Sequence, residues 1–176
     1  LYRMPGAKST SSWKANARGV DLNRNYKYNY HAKYGGRRGS SGYSGPYAES
    51  EPETKAVVKL INTLKKNTKL KGTVNYHAMG SIAFGSVRRG IKKTTKKITI
   101  KMYNLARKIT GYASSASYER GGKSVGALRE YTMYNMKVPS ITLEIGVGGC
   151  PLPSSQFGSV WRRNYSLVIR EARLLG

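Results

Sequence analysis

The sequence predicts an α/β fold, because segments with helical spacing alternate with short segments that are typical of strands. Apolar residues recur at helical spacing near residues 52–67, 93–109 and 156–174. Strand patterns lie near residues 20–23, 73–77 and 140–145. At 176 residues the chain is long enough for a core that needs no disulfide. We therefore predict a single domain over residues 1–176.

The stretch over residues 16–26 combines a short strand pattern with a run of hydrogen-bonding side chains. Val20 and Leu22 alternate with polar neighbours, and Asn23 and Arg24 follow. A guanidinium offers a planar fork to a carboxylate, and an adjacent amide adds a further donor. These residues alone are equally consistent with a carboxylate-binding site and with a polar loop that holds an ordinary ion pair.

The helix near residues 52–67 begins with a recognisable signal. Ser50 and Glu53 have the spacing of a capping box, and Pro52 suits the first turn. This pattern predicts Ser50 as the N-cap. The apolar positions then follow at helical spacing: Val57, Leu60, Ile61 and Leu64.

The helix near residues 93–109 carries the densest basic segment of the chain. Its apolar positions have helical spacing, although the β-branched residues around Thr95 and Thr99 argue partly against a helix. The lysines are expected to form its solvated face. The last helix, near residues 156–174, is expected to pack on the sheet.

Charge is the strongest compositional signal, with 32 Lys+Arg against 8 Asp+Glu and a net charge of +24. Such a field attracts polyanions, so nucleic acid, anionic membrane and anionic cell-wall polymers are all candidate partners. No RNA-binding signature is present, which makes nucleic acid the weaker alternative. No apolar run is long enough for a transmembrane segment. The lone Cys150 is expected to be a small buried residue.

Two of the predicted strands end in residues that can carry chemistry. His77 closes the strand near residues 73–77, and imidazole is a good zinc ligand, although an isolated histidine is more often structural. Glu144 interrupts the apolar strand near residues 140–145. Burying a carboxylate is costly unless it is paired or serves a reaction, so this acid is either a catalytic base or a structural partner of a cation.

Four motifs occur in the order found in one enzyme family. They are Gly-Val-Asp-Leu-Asn-Arg-Asn over residues 19–25, Tyr-His-Ala-Met-Gly-Ser over 76–81, Gly-Ala-Leu-Arg-Glu-Tyr over 126–131 and Pro-Ser-Ile-Thr-Leu-Glu over 139–144. Together they resemble zinc metallocarboxypeptidases of the carboxypeptidase A type, above all the bacterial branch that includes γ-D-glutamyl-diamino-acid peptidases. The resemblance implies a three-layer α/β/α sandwich with a mixed sheet.

The resemblance also implies roles for individual residues. Asn23 and Arg24 would bind the substrate carboxylate, His77 would be a zinc ligand and Glu144 the general base. Lys14 would assist the oxyanion. Arg129 and Glu130 would line the pocket for the residue after the scissile bond and set specificity. Tyr118, with a weaker alignment, would be the tyrosine that caps the substrate.

One part of the family pattern is missing from the sequence. The family takes its first two zinc ligands from a His-x-x-Glu motif well before the residues that match Asn16, whereas here His31 is followed three positions later by Tyr34. The resemblance therefore identifies the chain as the C-terminal portion of such a catalytic domain. It implies that Zn²⁺ takes one ligand here and two upstream of Leu1, and that these 176 residues alone are inactive.

The sequence leaves two functions open. The first is a zinc-dependent metallopeptidase that hydrolyses peptides with a free carboxylate, with peptidoglycan stem peptides as the substrate class and a secreted or cell-wall-associated location. The second is a non-catalytic, strongly basic module that binds an anionic cell-wall polymer or another polyanion. A His-x-x-Glu motif upstream of Leu1 in the parent reading frame would favour the enzyme.

Overall fold

The computed structural model describes residues 13–32, 34–115 and 125–176. The chain separates into two compact units. Unit 1 contains Leu1–Leu70 and Lys123–Tyr131, and unit 2 contains Lys71–Gly122 and Thr132–Gly176. The predicted α/β class and mixed sheet are confirmed.

The elements have the following bounds. The α-helices are α1 (Pro52–Asn67), α2 (Lys93–Thr110), α3 (Leu128–Glu130), α4 (Phe157–Asn164) and α5 (Leu167–Leu175). The strands are β1 (Thr73–Ala78), β2 (Ile82–Phe84), β3 (Ala113–Ser114) and β4 (Ser140–Ile145). Shorter helical turns are Leu22–Arg24, Tyr131–Asn135 and Ser154–Gln156. No helix of the described part of the chain is long and apolar enough to span a bilayer.

The predicted strand near residues 20–23 is wrong. Leu22–Arg24 forms a 3-10 turn instead, and the Asp21 carboxylate caps it by accepting the Asn23 N–H at 3.0 Å. Asp residues favour such local bonds to the backbone, and these bonds compete with strand pairing. Val20 is buried nonetheless, so the apolar pattern marked a core position and not a strand.

The helix α1 has the predicted bounds but not the predicted cap. Glu51 occupies the N-cap position, and its side chain makes no capping hydrogen bond to the described residues. The Ser50 hydroxyl donates to the Glu51 carboxylate at 2.6 Å instead. Of the predicted apolar stripe, Ile61 is buried, whereas Leu60 and Leu64 are exposed.

Unit 2 is built on a four-stranded sheet with the order β1-β4-β2-β3. β1 pairs in parallel with β4, β4 pairs antiparallel with β2, and β2 pairs in parallel with β3. The sequence did not predict β2 and β3, because strands of two or three residues are too short to show an alternating pattern. The sheet brings the carboxyl ends of β1 and β4 to the same edge.

The helix α2 packs on this sheet through an apolar cluster. Met102 and Ala106 of α2 lie against Ile141 and Leu143 of β4 in this cluster, together with Leu167 of α5. The lysines of α2 are exposed, as predicted. The threonines that argued against a helix are buried with bonded hydroxyls: Thr95 donates to the Lys137 carbonyl, and Thr99 donates to the Met133 sulfur.

The C-terminal segment forms two helices rather than the single predicted helix. Tyr165 and Ser166 separate α4 from α5, and Ser166 has a ψ of −8°, which lies outside the regular α-helical range. Cys150 is exposed in the loop that follows β4, so its predicted burial is wrong. Its neighbours are Gly149 and Pro151, residue types that are typical of loops.

Candidate functional site

In unit 1, two hydrogen bonds fix the position of Asn23. Its N–H donates to the Asp21 carboxylate, and its side-chain oxygen accepts the Leu128 N–H at 2.9 Å across 105 positions of sequence. The amide oxygen is therefore engaged with the backbone, and the amide NH₂ is the group that can donate to a ligand. This orientation suits a carboxylate acceptor.

Arg24 lies beside Asn23 with its backbone tightly confined. Gly126 has a φ of +53°, and a Cβ built there would lie only 2.0 Å from the Arg24 carbonyl oxygen. Gly126 also accepts the Tyr26 N–H at 2.9 Å. The Arg24 guanidinium donates through Nη1 to the Asn23 carbonyl at 2.8 Å, and it lies 6.0 Å from the centre of the Tyr34 ring. Glycine is thus required at position 126 for this segment to hold its place.

Asp21 is a buried acid that contacts both the Asn23 backbone and Lys14. Its side chain is 4% exposed, and Lys14 Nζ lies 3.6 Å from its second carboxylate oxygen. Lys14 is 65% exposed, so its ammonium remains accessible while Asp21 holds it near the motif. The sequence interpretation assigned no function to Asp21. The sequence did carry a signal for this role, because an Asp side chain in a turn often accepts a hydrogen bond from the backbone N–H two residues later.

A buried polar network supports the same motif. Asn25 is fully buried and donates to the Ser44 carbonyl, the Tyr47 carbonyl and the Ser50 hydroxyl. Its own oxygen accepts the Glu51 N–H at 3.2 Å. Glu51 is fully buried as well, with Asn16 donating to it at 2.8 Å and Arg18 lying 3.5 Å away. Because each buried group has its partner, the network fixes the loop rather than weakening it.

Arg129 and Glu130 form a buried ion pair with each other. The Arg129 Nε and Nη2 atoms both donate to one Glu130 oxygen, at 2.9 and 2.5 Å. The guanidinium is therefore partly occupied by its neighbour, which limits what it offers to a substrate. Tyr118, the predicted capping tyrosine, lies outside the described residues.

The same segment packs against the ring of Tyr26. The Tyr26 and Tyr131 ring centres are 5.7 Å apart. Burial, followed by the charge of Glu49 and the neighbouring Tyr131, raises the pKa of Tyr26 to about 12. Tyr26 is therefore a neutral phenol at physiological pH, and its contribution here is to packing.

In unit 2, His77 and Glu144 occupy the same register position of adjacent parallel strands. Paired residues of neighbouring strands project to the same face of a sheet, and the strands lie about 5 Å apart. Ile82 of β2 pairs with Glu144 from the other side. His77 and Glu144 are both half-buried. An imidazole and a carboxylate thus stand side by side near the carboxyl end of their strands.

The face that carries this pair is polar along its length. The Thr73 hydroxyl donates to the Ser140 hydroxyl at 2.8 Å, and Asn75 donates to the same Ser140 oxygen and to the Ile141 carbonyl, each at 3.0 Å. The opposite face carries Ile141 and Leu143 in the core. The alternation therefore separates a polar face with His77 and Glu144 from an apolar face under α2.

The loops after these two strands are tied to each other. The Gly80 N–H donates to the Gly146 carbonyl at 2.9 Å, and the Ser81 hydroxyl donates to the same oxygen at 3.3 Å. Gln156 holds the turn further on, since its side chain bonds both the N–H and the carbonyl of Val147. The Ala78–Met79 peptide bond is cis. These contacts fix the positions at which β1 and β4 end.

The four motifs lie within the match to a known enzyme family. The zinc carboxypeptidase family model matches residues 3–167. The chain belongs to the zinc carboxypeptidase family. A curated relative, γ-D-glutamyl-L-diamino acid endopeptidase 1 of Lysinibacillus sphaericus, is 23% identical over 166 residues. That alignment covers 93% of this chain but 39% of the relative, so the chain spans well under half of that enzyme.

Several solved structures share the fold. Bovine thrombin-activatable fibrinolysis inhibitor, in complex with tick carboxypeptidase inhibitor, aligns with a TM-score of 0.70 and 20% identity over 89% of this chain and 56% of that one. Carboxypeptidase A of Helicoverpa armigera gives 0.60 and 17%, over 88% and 41%. Murein-tripeptide amidase MpaA of Escherichia coli O157 gives 0.56 and 20%, over 92% and 60%.

The zinc carboxypeptidase family is zinc-dependent, so its members need a set of side chains that can hold the metal. A catalytic zinc takes three protein ligands. No group of three His, Cys, Asp or Glu side chains that could hold a metal exists within residues 13–32, 34–115 and 125–176. His77 is a suitable single donor, with Glu144 beside it. The described residues therefore do not fit a complete zinc site.

Proposed function

We propose that this chain carries the substrate-binding and proton-transfer residues of a zinc-dependent peptidase that acts on peptides with a free carboxylate. The main support is the pairing of His77 with Glu144 at one register position, next to strand ends that are held together by hydrogen bonds. Family membership supports the reaction class. The name of the Lysinibacillus relative supports peptidoglycan stem peptides as the substrate class.

Asn23 and Arg24 are the proposed carboxylate anchors. The Asn23 oxygen already accepts a backbone N–H, so its NH₂ can donate to a substrate oxygen. Arg24 adds the guanidinium, whose hydrogen bonds to carboxylates are charge-assisted and therefore strong. A peptide with a C-terminal carboxylate should bind here better than its amide.

Glu144 is the proposed general base. It would accept a proton from the attacking water and pass that proton to the amine that leaves when the C–N bond breaks. Lys14 would offset negative charge on the carbonyl oxygen during attack, because its ammonium is exposed yet restrained by Asp21. His77 would be one zinc ligand.

Arg129, Glu130 and Tyr118 complete the proposal as specificity residues. The ion pair of Arg129 with Glu130 gives both side chains fixed, buried positions. A fixed pair can discriminate substrates by shape and charge, because moving either partner would break a buried ion pair. A secreted or cell-wall-associated location would bring such an enzyme to peptidoglycan. The family assignment favours this peptidase over the basic polyanion-binding module.

The carboxylate anchor can be tested with the 176-residue chain itself. Calorimetry should detect binding of acetyl-Ala-Ala and weaker binding of its C-terminal amide. Asn23→Ala and Arg24→Gln should each lower the affinity for the acid by about tenfold. Arg37→Gln removes the same charge from an exposed position and serves as the control. Equal binding of acid and amide, or equal losses in all three variants, would contradict the proposed anchor.

A further inference from the structure

Unit 2 contains a cavity of about 360 Å³ whose lining includes neither His77 nor Glu144. Val74 and Tyr76 of β1, Met102 of α2, and residues of α5 line it. Val74 and Tyr76 alternate with Asn75 and His77 along β1, so the cavity lies on the face of the sheet opposite to His77. Its walls are mainly apolar, and its size is that of a small-ligand pocket.

One acidic side chain lines this cavity, and its burial needs an explanation. Glu171 of α5 is 3% exposed, and both of its carboxyl oxygens are buried without a hydrogen-bond partner among the described residues. The other deeply buried acids have donors: Asp21 caps a turn, Glu51 accepts from Asn16 and Ser50, and Glu130 accepts from Arg129. An unpartnered carboxyl is unexpected in a chain with 32 Lys+Arg and 8 Asp+Glu.

The charged and titratable groups around the cavity do not compensate Glu171. Lys71 lines the cavity, but it is exposed and makes no ion pair with Glu171 within the described residues. The pKa of Tyr76 is raised by burial and then by the charges of Tyr112 and Glu171. Burial raises the pKa of Glu171 to about 8. A cation in the cavity would favour the ionised form of both the Glu171 carboxyl and the Tyr76 phenol.

We propose that this cavity binds a primary ammonium group on an unbranched apolar stem. The ammonium has three donors, and Glu171, once its proton has been released to solvent, offers two acceptor oxygens that have no partner among the described residues. The stem would lie along the apolar walls formed by Val74, Met102 and Leu175. The close approach at Gly72, where an added Cβ would lie 2.9 Å from the Met102 sulfur, shows how closely the backbone packs against one wall.

The required chemistry occurs in two sources, a free alkylamine and the side chain of a lysine on a polypeptide. Both place an ammonium at the end of a methylene chain, which the cavity would bind in the same way. They differ in what lies at the other end of the stem. Tyr76 and Val168 are exposed at the cavity and would contact a peptide backbone, but not a free amine that is fully inserted.

The test is a titration of the 176-residue chain with two matched pairs of probes. Binding is detected by NMR, from the shifts of the Tyr76, Val168 and Ala172 signals. One pair is n-pentylammonium and n-pentanol, and the other is N-acetyl-lysine methylamide and N-acetyl-norleucine methylamide. At least one ammonium probe should bind about tenfold more tightly than its neutral partner. The pair that shows the larger difference identifies the source. Equal binding within both pairs, or no binding of any probe, would overturn the proposal.

Glu171→Gln keeps the shape of the side chain and removes its ability to ionise when a cation binds. This variant should abolish the preference for ammonium over the neutral probes, whereas Glu53→Gln, which changes an exposed acid, should retain it. A direct readout is the ¹³C signal of the Glu171 carboxyl, whose pKa should fall when the ammonium probe is added. A preference that survives in Glu171→Gln, or a carboxyl signal that does not respond, would also overturn the proposal.

Discussion

His77 and Glu144 face each other across the parallel pair β1–β4, each near the carboxyl end of its strand. The two residues are 67 positions apart in sequence, and they meet because β4 inserts between β1 and β2. On the same face, Asn75, Thr73 and Ser140 exchange hydrogen bonds that keep the two strands in this register. A shift by one residue would turn either side chain to the apolar face.

Glu144→Gln tests the proposed base in any longer form of this chain that hydrolyses peptides. The amide keeps the shape of the carboxylate but cannot accept the proton of the attacking water. We expect kcat to fall by about 10²–10⁴-fold, with little change in KM. Glu53→Gln is the matched control at an exposed position. Undiminished turnover in Glu144→Gln would rule out this assignment.

Gly126→Ala tests the dependence of Arg24 on its neighbour. The new Cβ would lie 2.0 Å from a backbone oxygen, which cannot move without displacing the Asn23–Arg24 segment. We expect a loss of ~2 kcal/mol or more in the free energy of unfolding, together with weaker binding of acetyl-Ala-Ala. Urea denaturation would measure the free energy of unfolding, and calorimetry would measure the binding of acetyl-Ala-Ala.

The control for this substitution is Gly90→Ala. Gly90 also has a positive φ, of +87°, but an added Cβ would meet no atom within 4 Å. This control carries the backbone strain without the clash. It should leave acetyl-Ala-Ala binding unchanged, and equal effects of the two substitutions on binding would mean that the contact with Arg24 is unimportant.

Glu171→Gln should change how stability depends on pH. The pKa of Glu171 is raised from 4.5 to about 8 by burial, so between these values the folded state holds a proton that the unfolded state has released. This group therefore lowers the free energy of unfolding as pH rises, by up to ~1.4 kcal/mol per pH unit. Relative to the wild type, Glu171→Gln should gain stability from pH 5 to pH 8.

Denaturant midpoints at several pH values measure this effect without any ligand. The difference between Glu171→Gln and the wild type should widen steadily over the window, whereas the difference for Glu53→Gln should stay flat. A constant difference for Glu171→Gln would show that the carboxyl is already ionised in the folded state. Such a result would also remove the case for an uncompensated acid in the cavity.

Local patterns in the sequence predicted the elements that are long and periodic, and missed those that depend on distant contacts. The bounds of α1 and α2 followed from apolar spacing over more than four turns. The stretch at Val20 and Leu22 was ambiguous, because alternation over so few residues also fits a capped 3-10 turn. The short strands β2 and β3 gave no pattern at all.

The candidate site divides in the same way. The family motifs singled out Asn23, Arg24, His77 and Glu144 as candidate site residues, but motifs do not reveal which contacts hold those residues. The bond from Leu128 to Asn23 joins segments 105 positions apart and leaves no local trace. Glu171 did leave one, since it is an acid four residues from both Leu167 and Leu175 on the inner side of α5.

Zinc binding by the 176-residue chain should be weak. The sequence contains two histidines, and the structure places His31 in unit 1 and His77 in unit 2. One imidazole with an adjacent carboxylate does not provide the three-ligand geometry that gives tight binding. Calorimetry should therefore give a dissociation constant of about 1 μM or weaker, with no detectable peptide hydrolysis.

Two histidine variants show whether any zinc that binds is specific to the proposed ligand. His31 is exposed, so His31→Ala removes an ordinary surface imidazole, whereas His77→Ala removes the one beside Glu144. If the chain lacks a complete site, each variant should bind zinc within about tenfold of the wild type, because neither histidine belongs to a multidentate set. A one-to-one site of nanomolar affinity that disappears only in His77→Ala would require two further ligands within these 176 residues. That result, accompanied by hydrolysis, would contradict the inference that the zinc site is incomplete.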